Sequence, residues 1–333
     1  MKKRYWIPAV IFLVLVITYF TGPRIPQPTY TDDLPELPND LSALEQYVEK
    51  REAKLPVRED NEARILWQGK EPAVTEYSVV YLHGFGGSYR DGYPVNVNLA
   101  DTLEANLYLA RLAGHGLEPP ASLNSFSPES AWQSAKEALV IGRKIGKKLI
   151  ILSTSTGGTL ALKLAATYPE TIYAIINMSP NIEDEVDLAF LLNSPWGYEV
   201  AKIAALGSKK EVEYETKIAA QYWDTIYPSK ALVDLQVLLA TTMTAETFKS
   251  IKVPTQTLFY YENTFEEDDH VEVEEYPEMH ELIATPAPLK DLVKLETPKT
   301  HFIGSAIKSE NVDVVLAEIV EFLRENLKME KLQ

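Results

Sequence analysis

Ser155 stands in Ser153-Thr154-Ser155-Thr156-Gly157-Gly158, after the apolar run Leu149–Leu152 and before a helical repeat carrying Leu160, Leu162 and Leu164. A serine on a sharp strand-to-helix turn is held in strained backbone geometry, and bulky residues two places either side would collide with it. Ser153 and Gly157 fill those two places. Such a turn lifts the hydroxyl above a sheet and sets it beside the free N–H groups of a helix start, where negative charge is favoured. The chemistry this suits is nucleophilic attack on a carbonyl. A phosphate-cradling loop of the G-x-x-x-x-G-K-[ST] kind does not fit, because Gly157-Gly158 is followed by Thr159 rather than lysine.

A serine nucleophile needs a base, an acid to orient that base, and donors for the developing oxyanion. Of the five histidines, His301 lies in Thr297-Pro298-Lys299-Thr300-His301-Phe302-Ile303, between a late strand and the last helix, which suits the base. The acid is expected after the strand Thr255–Tyr261, where Glu262 to Val273 offers several carboxylates. Asp268, just before a valine-rich turn, is favoured, with Asp269 next and Glu262 third; the rest of the run reads as a solvated loop. A metal site built from Asp268, Asp269, His270 and Glu272 is disfavoured, since the spacing and glycine of a calcium loop are absent. The oxyanion donors are expected to be the N–H groups of Thr156 and of Phe85, in His83-Gly84-Phe85-Gly86-Gly87. One such donor is typically worth ~3 kcal/mol of transition-state stabilisation. His83 and Gly84 would border the site, as would His115, in Arg111-Leu112-Ala113-Gly114-His115-Gly116, as a loop organiser.

These residues need a scaffold. Strands are predicted at Ala63–Gln68, Ser78–Leu82, Leu107–Leu112, Leu149–Leu152, Tyr173–Met178, Thr255–Tyr261 and Leu292–Leu295, and helices near 95–105, 128–145, 157–168 and 311–328. Leu41, Leu44, Val48 and Leu55 suggest one earlier amphipathic helix, with Ser42-x-x-Glu45 as its capping box. Alternation of this kind predicts an α/β fold with a mostly parallel sheet covered on both faces. The interval 181–250 breaks the rhythm and is aromatic-rich, which predicts an inserted helical cap; residues 41–180 and 251–333 would form the core.

Net charge is −16, and the first 24 residues carry Lys2, Lys3, Arg4 and Arg24 with no acid, so the remainder is more acidic still. Such a body repels phosphate backbones, which argues against nucleic acid as a partner. The absence of cysteine excludes disulfides, thiol catalysis and zinc–thiolate sites. Lys2-Lys3-Arg4 precede an apolar run from Tyr5 to Phe20, and small residues suited to cleavage are missing near Phe20-Thr21-Gly22-Pro23. Residues 1–24 are therefore expected to be an uncleaved membrane anchor with the body outside the cytoplasm, periplasmic or extracellular. The proline-rich stretch 25–40 would be a tether holding the body off the membrane.

Nucleophile, acid and histidine follow one another as Ser155, Asp268 and His301, the chain order of α/β-hydrolases. From about Ala63 to Leu327 the chain resembles that superfamily. His83-Gly-Phe-Gly-Gly is similar to its oxyanion loop, Arg111-Leu-Ala-Gly-His-Gly to a post-strand loop, and Ser153-Thr-Ser-Thr-Gly to its nucleophile elbow, with Ser153 in place of the usual glycine. The closest resemblance is to bacterial carboxylesterase-like and monoacylglycerol-lipase-like members with a small helical cap. The resemblance implies an ester hydrolase working through an acyl-enzyme, without cofactor, on short-to-medium acyl esters or monoacylglycerol-like lipids. The alternatives are an amidase, lactonase or perhydrolase on the same three residues, or an inert binding protein on the same fold.

Overall fold

The computed structural model describes residues 6–185 and 189–329. Its centre is an eight-stranded sheet. The strands are β1 (Arg64–Leu66), β2 (Thr75–Leu82), β3 (Asn106–Leu109), β4 (Gly146–Ser155), β5 (Ala174–Pro180), β8 (Thr255–Asn263), β9 (Glu266–Glu267) and β10 (Lys290–Leu295). The order is β1-β3-β2-β4-β5-β8-β10, with β9 turned back onto β8. β1 and β9 pair antiparallel; the other pairings are parallel.

The apolar runs form strands because both of their faces are buried. Val80, Leu82, Ile151, Ile175 and Phe259 enter one core, while Val79, Tyr81, Ile150, Leu152, Ile176 and Leu258 enter the other. Alternate side chains of a strand point to opposite faces, so a run without polar interruption is what a doubly covered sheet requires. One face is covered by α2 (Leu41–Glu52), α4 (Pro128–Ile145) and α5 (Thr156–Thr167), the other by α3 (Val95–Thr102) and the last helix, Val312–Glu325. α4 starts at Ser127, whose hydroxyl accepts from the Ser130 N–H while Ser130 returns a bond to the Ser127 N–H. At α2 the expected cap is displaced. Asp40 rather than Ser42 is the N-cap, because its carboxylate reaches the Ala43 N–H at 2.8 Å.

The inserted interval contains α6 (Gly197–Ala204), a hairpin of β6 (Lys209–Glu211) and β7 (Ile226–Pro228), α7 (Lys217–Tyr222), α8 (Lys230–Thr242) and α9 (Ala245–Ser250). Its later part is not separate from the body. Ala231, Leu235, Leu238 and Leu239 of α8 and Phe248 of α9 are buried in the same core as α4 and α5.

The N-terminal helix α1 (Trp6–Phe20) has 15 residues, and most of its side chains are exposed. Among the described residues no helix is long and apolar enough to cross a membrane, so the expected spanning anchor has no support here. Lys2, Lys3, Arg4 and Tyr5 lie outside the described residues.

The proline-rich stretch is also not the free tether expected. Tyr30, Leu34 and Leu37 pack on the core, and the Thr31 carbonyl accepts from Trp132 Nε1 at 2.9 Å and Lys136 Nζ at 2.7 Å. Lys136 Nζ also donates to the Asp33 carbonyl, and the Tyr168 hydroxyl to that of Asp32. A proline-rich strand leaves its carbonyls unpaired, and donors on α4 and beside α5 take them.

Candidate active site

Ser155 ends β4 and precedes the first residue of α5, with φ 54° and ψ −122°. Positive φ in a residue with a Cβ is costly and persists only where its surroundings enforce it. Here they do. A Cβ on Gly157 would run into the Leu82 carbonyl, and one on Gly158 into Pro180, so α5 can begin this close to β2 and β5 only with glycine there. On the other side, the Ser153 hydroxyl donates to Asn177 Oδ1 at 2.9 Å, and the pairing with β5 shifts register between Thr154 and Ser155. Ser153 thus replaces glycine with a small side chain that finds a partner inside the sheet. Ser155 is 8% exposed, its side chain does not cap α5, and the Thr156 N–H, as the first of the helix, has no intrahelical acceptor.

The loop after β2 is fixed from three sides. His83 is fully buried: its Nε2 accepts the Leu112 N–H at 3.0 Å, which leaves the proton on Nδ1 to donate to the Gly84 carbonyl. Burial lowers its pKa to about 4, so it remains a neutral organiser. Asp91 accepts the Gly84 N–H at 2.7 Å and the Tyr81 hydroxyl, and that hydroxyl also meets Thr154 Oγ1 at 2.7 Å, next to the elbow. Burial pushes Asp91 up to about 7, although both hydrogen bonds pull the other way. From the inserted segment, the Asp224 N–H donates to the Gly86 carbonyl at 2.6 Å. The Asp224 carboxylate in turn receives Arg58 at 2.6 Å and Ser122 at 2.9 Å. Gly84 packs so closely on Ser155 that any side chain would strike its Cβ. Phe85 follows, its ring against His115, Phe126 and Tyr227. His115 is buried and its Nδ1–H donates to the Ala113 carbonyl, 3.0 Å away, so it organises its own loop.

Asp91 and Asp224 did not emerge from the sequence as site residues. Replacing Asp91 by alanine strips the acceptor from a buried N–H and a buried phenol. It is expected to destabilise the fold by about 2–4 kcal/mol, read from urea unfolding, and to lower turnover by loosening the loop that carries Phe85.

β8 overshoots the sheet and folds back through β9, pairing Tyr261 with Glu267 and Asn263 with Glu266. This hairpin delivers Asp268, whose N–H bonds the Tyr260 carbonyl at 3.3 Å. Val271 bridges Asp184 in the loop after β5, tying the far end of the acidic run. Both oxygens of Asp268 accept from His301 Nδ1, at 2.9 and 2.7 Å, and both residues are buried. The other two candidate acids are engaged elsewhere: Asp269 with His270 Nδ1 at 2.6 Å, and Glu262 with Lys299. Asp268, Asp269 and His270 lie close enough to share an ion, but both Asp268 oxygens are given to His301. Ser155 ends β4, Asp268 follows the β8–β9 hairpin and His301 follows β10; β4, β8 and β10 run parallel in one sheet, so the three residues lie at one edge.

Beside this edge is a cavity of about 610 Å³. Phe85, Tyr214, Trp223, Tyr227 and Phe302 give it an apolar wall, and His270, Lys299 and Lys308 a polar one. The Lys308 ammonium lies 5.3 and 5.5 Å from the ring centres of Tyr214 and Trp223.

Residues 77–220 match the family model described as the alpha/beta hydrolase fold. No curated protein matches the chain in sequence. Among solved structures, one from work on LipS and LipT, two metagenome-derived lipolytic enzymes, is similar over 80% of this chain and 99% of its own, with 18% identity and a TM-score of 0.64. The monoacylglycerol lipase of Paleococcus ferrophilus is similar over 79% of this chain and 98% of its own, at 17% identity and a TM-score of 0.59. A soluble variant of the monoglyceride lipase of Saccharomyces cerevisiae is similar over 81% and 90%, at 13% identity and a TM-score of 0.56. With a central, mostly parallel sheet, a strained serine between β4 and α5 and this match over residues 77–220, the chain has the α/β-hydrolase fold.

Proposed function

We propose that this chain is a serine hydrolase of carboxylic esters, working through an acyl-enzyme on Ser155. The observation that carries the reading is the buried Asp268–His301 pair at the sheet edge where Ser155 is held in strained geometry. In this reading Ser155 Oγ attacks the ester carbonyl while His301 Nε2 takes its proton. Asp268 holds the Nδ1–H tautomer and stabilises the imidazolium that forms. The N–H groups of Phe85 and Thr156 bind the oxyanion, His301 returns the proton to the leaving alcohol, and water then repeats the sequence on the acyl-enzyme. The pinned loop of residues 83–87 supports this role for Phe85, since preorganised donors need no rearrangement when charge develops.

The cavity supports a substrate with a short-to-medium acyl chain or a monoacylglycerol-like lipid, because its aromatic wall suits an apolar chain. The names of the lipolytic and monoacylglycerol lipase structures support the same class. The test is to treat the folded protein with a fluorophosphonate and map the adduct by mass spectrometry. Modification of Ser155, absent in His301→Ala, is the expected result. An unmodified Ser155 in folded protein would sink the reading. A panel of esters, amides and lactones then separates the reaction classes.

A further inference from the structure

A second acid–histidine pair lies against the first. His270 Nδ1 donates to Asp269 Oδ1 at 2.6 Å, and its ring lies 4.7 Å from that of His301 with the planes 4° apart. Phe302 meets both imidazoles edge-on, with centroid distances of 5.4 Å to His270 and 4.9 Å to His301. The His270 N–H donates to Asp268 Oδ1 at 3.0 Å, so one short run of chain grips the acid and backs the base. A nucleophile, base and acid do not by themselves call for any of these contacts.

Resting on the roles proposed for Ser155, Asp268 and His301, we propose that His270 is a positioning residue for His301: anchored by Asp269, its ring fixes the plane of the base and resists a second charge beside it. The plane matters because the base must present Nε2 to the serine while Nδ1 stays on Asp268, and a ring gripped at one atom alone can tilt about that bond. Stacking on one face and Phe302 at the edge remove that freedom.

The groups facing His270 are Asp268 and Asp269 on its own loop, Asp184 after β5, and His301 and Lys308 after β10. Burial disfavours charge on His270, but the hydrogen bond and charge of Asp269, with the charge of Asp268, outweigh both burial and Lys308. His270 therefore keeps its proton to higher pH than an ordinary histidine. A cation stacked on the base makes protonation of the base harder, as for any pair of coupled sites. The sign follows: removing that cation should make activity fail at a higher pH. Because the His270 side chain is 51% exposed, solvent and salt reduce the effect.

The test compares wild type with His270→Phe, which keeps a flat ring without charge, and His270→Ala, which removes both. With a soluble ester, H270F is expected to keep kcat within roughly threefold while the acidic limb of kcat/KM moves up by about half to one pH unit. H270A is expected to lose roughly tenfold in kcat. An acidic limb that stays in place in H270F, or wild-type kcat in H270A, overturns the proposal. A second reading needs no turnover: the downfield NMR signal of the His301 Nδ1–H bound to Asp268, expected in wild type and H270F and broadened in H270A. An unchanged signal in H270A overturns the positioning role. The expected signals in a protein without esterase activity would uphold that role and overturn the ester-hydrolase reading instead.

Discussion

Replacing Ser155 by alanine is expected to lower kcat on a soluble ester by roughly 10⁴-fold or more while leaving the fold intact. Both halves of this expectation have a structural cause. The side chain of Ser155 does not cap α5, so its hydroxyl is not what starts the helix. The strained backbone is imposed from outside, by the tight approach of Gly157 to Leu82 and of Gly158 to Pro180, and alanine has to accept the same φ. Thermal unfolding should therefore differ from wild type by no more than about 1 kcal/mol. In the proposed mechanism, what alanine removes is the nucleophile, and with it the covalent path. The residual rate would come from substrate binding and the oxyanion donors. A variant retaining a tenth of wild-type activity would exclude the acyl-enzyme on Ser155.

The sequence reached the elbow because its determinants are local. A strand, a strained turn and a helix are adjacent in the chain, and the small residues around Ser155 declare the crowding. The ends of α4 were equally legible, since Ser127-Pro128 and Gly146 act through neighbouring residues. What escaped is set by partners distant in sequence. Asp91 and Asp224 are ordinary acids in the chain, and their part in holding the loop of Phe85 emerges only when Tyr81, Arg58 and Ser122 are brought to them. The β8–β9 hairpin is short and polar, with no alternation to betray it, yet it aims Asp268. The tether misled for a related reason. Proline content predicts an extended chain, but Trp132, Lys136 and Tyr168 determine where that chain lies.

The choice among the three acids leads to the second large effect. Asp268→Asn is expected to lower kcat by roughly 10³–10⁴-fold with KM little altered. Asparagine keeps the volume of the buried carboxylate, and its oxygen can still receive the His270 N–H. Its amide, however, can turn an N–H toward His301 Nδ1. The imidazole then carries its proton on Nε2, where it cannot accept one from Ser155, and an imidazolium formed in the transition state has lost its counter-charge. Glu262→Gln and Asp269→Asn should each cost less than about tenfold, because Glu262 is paired with Lys299 and Asp269 reaches the base only through His270. The comparison is made on kcat for all three variants after matching their unfolding curves. A larger loss in D269N than in D268N would transfer the orienting role to Asp269, which would require the loop to turn by one residue and exchange the histidines each acid now holds.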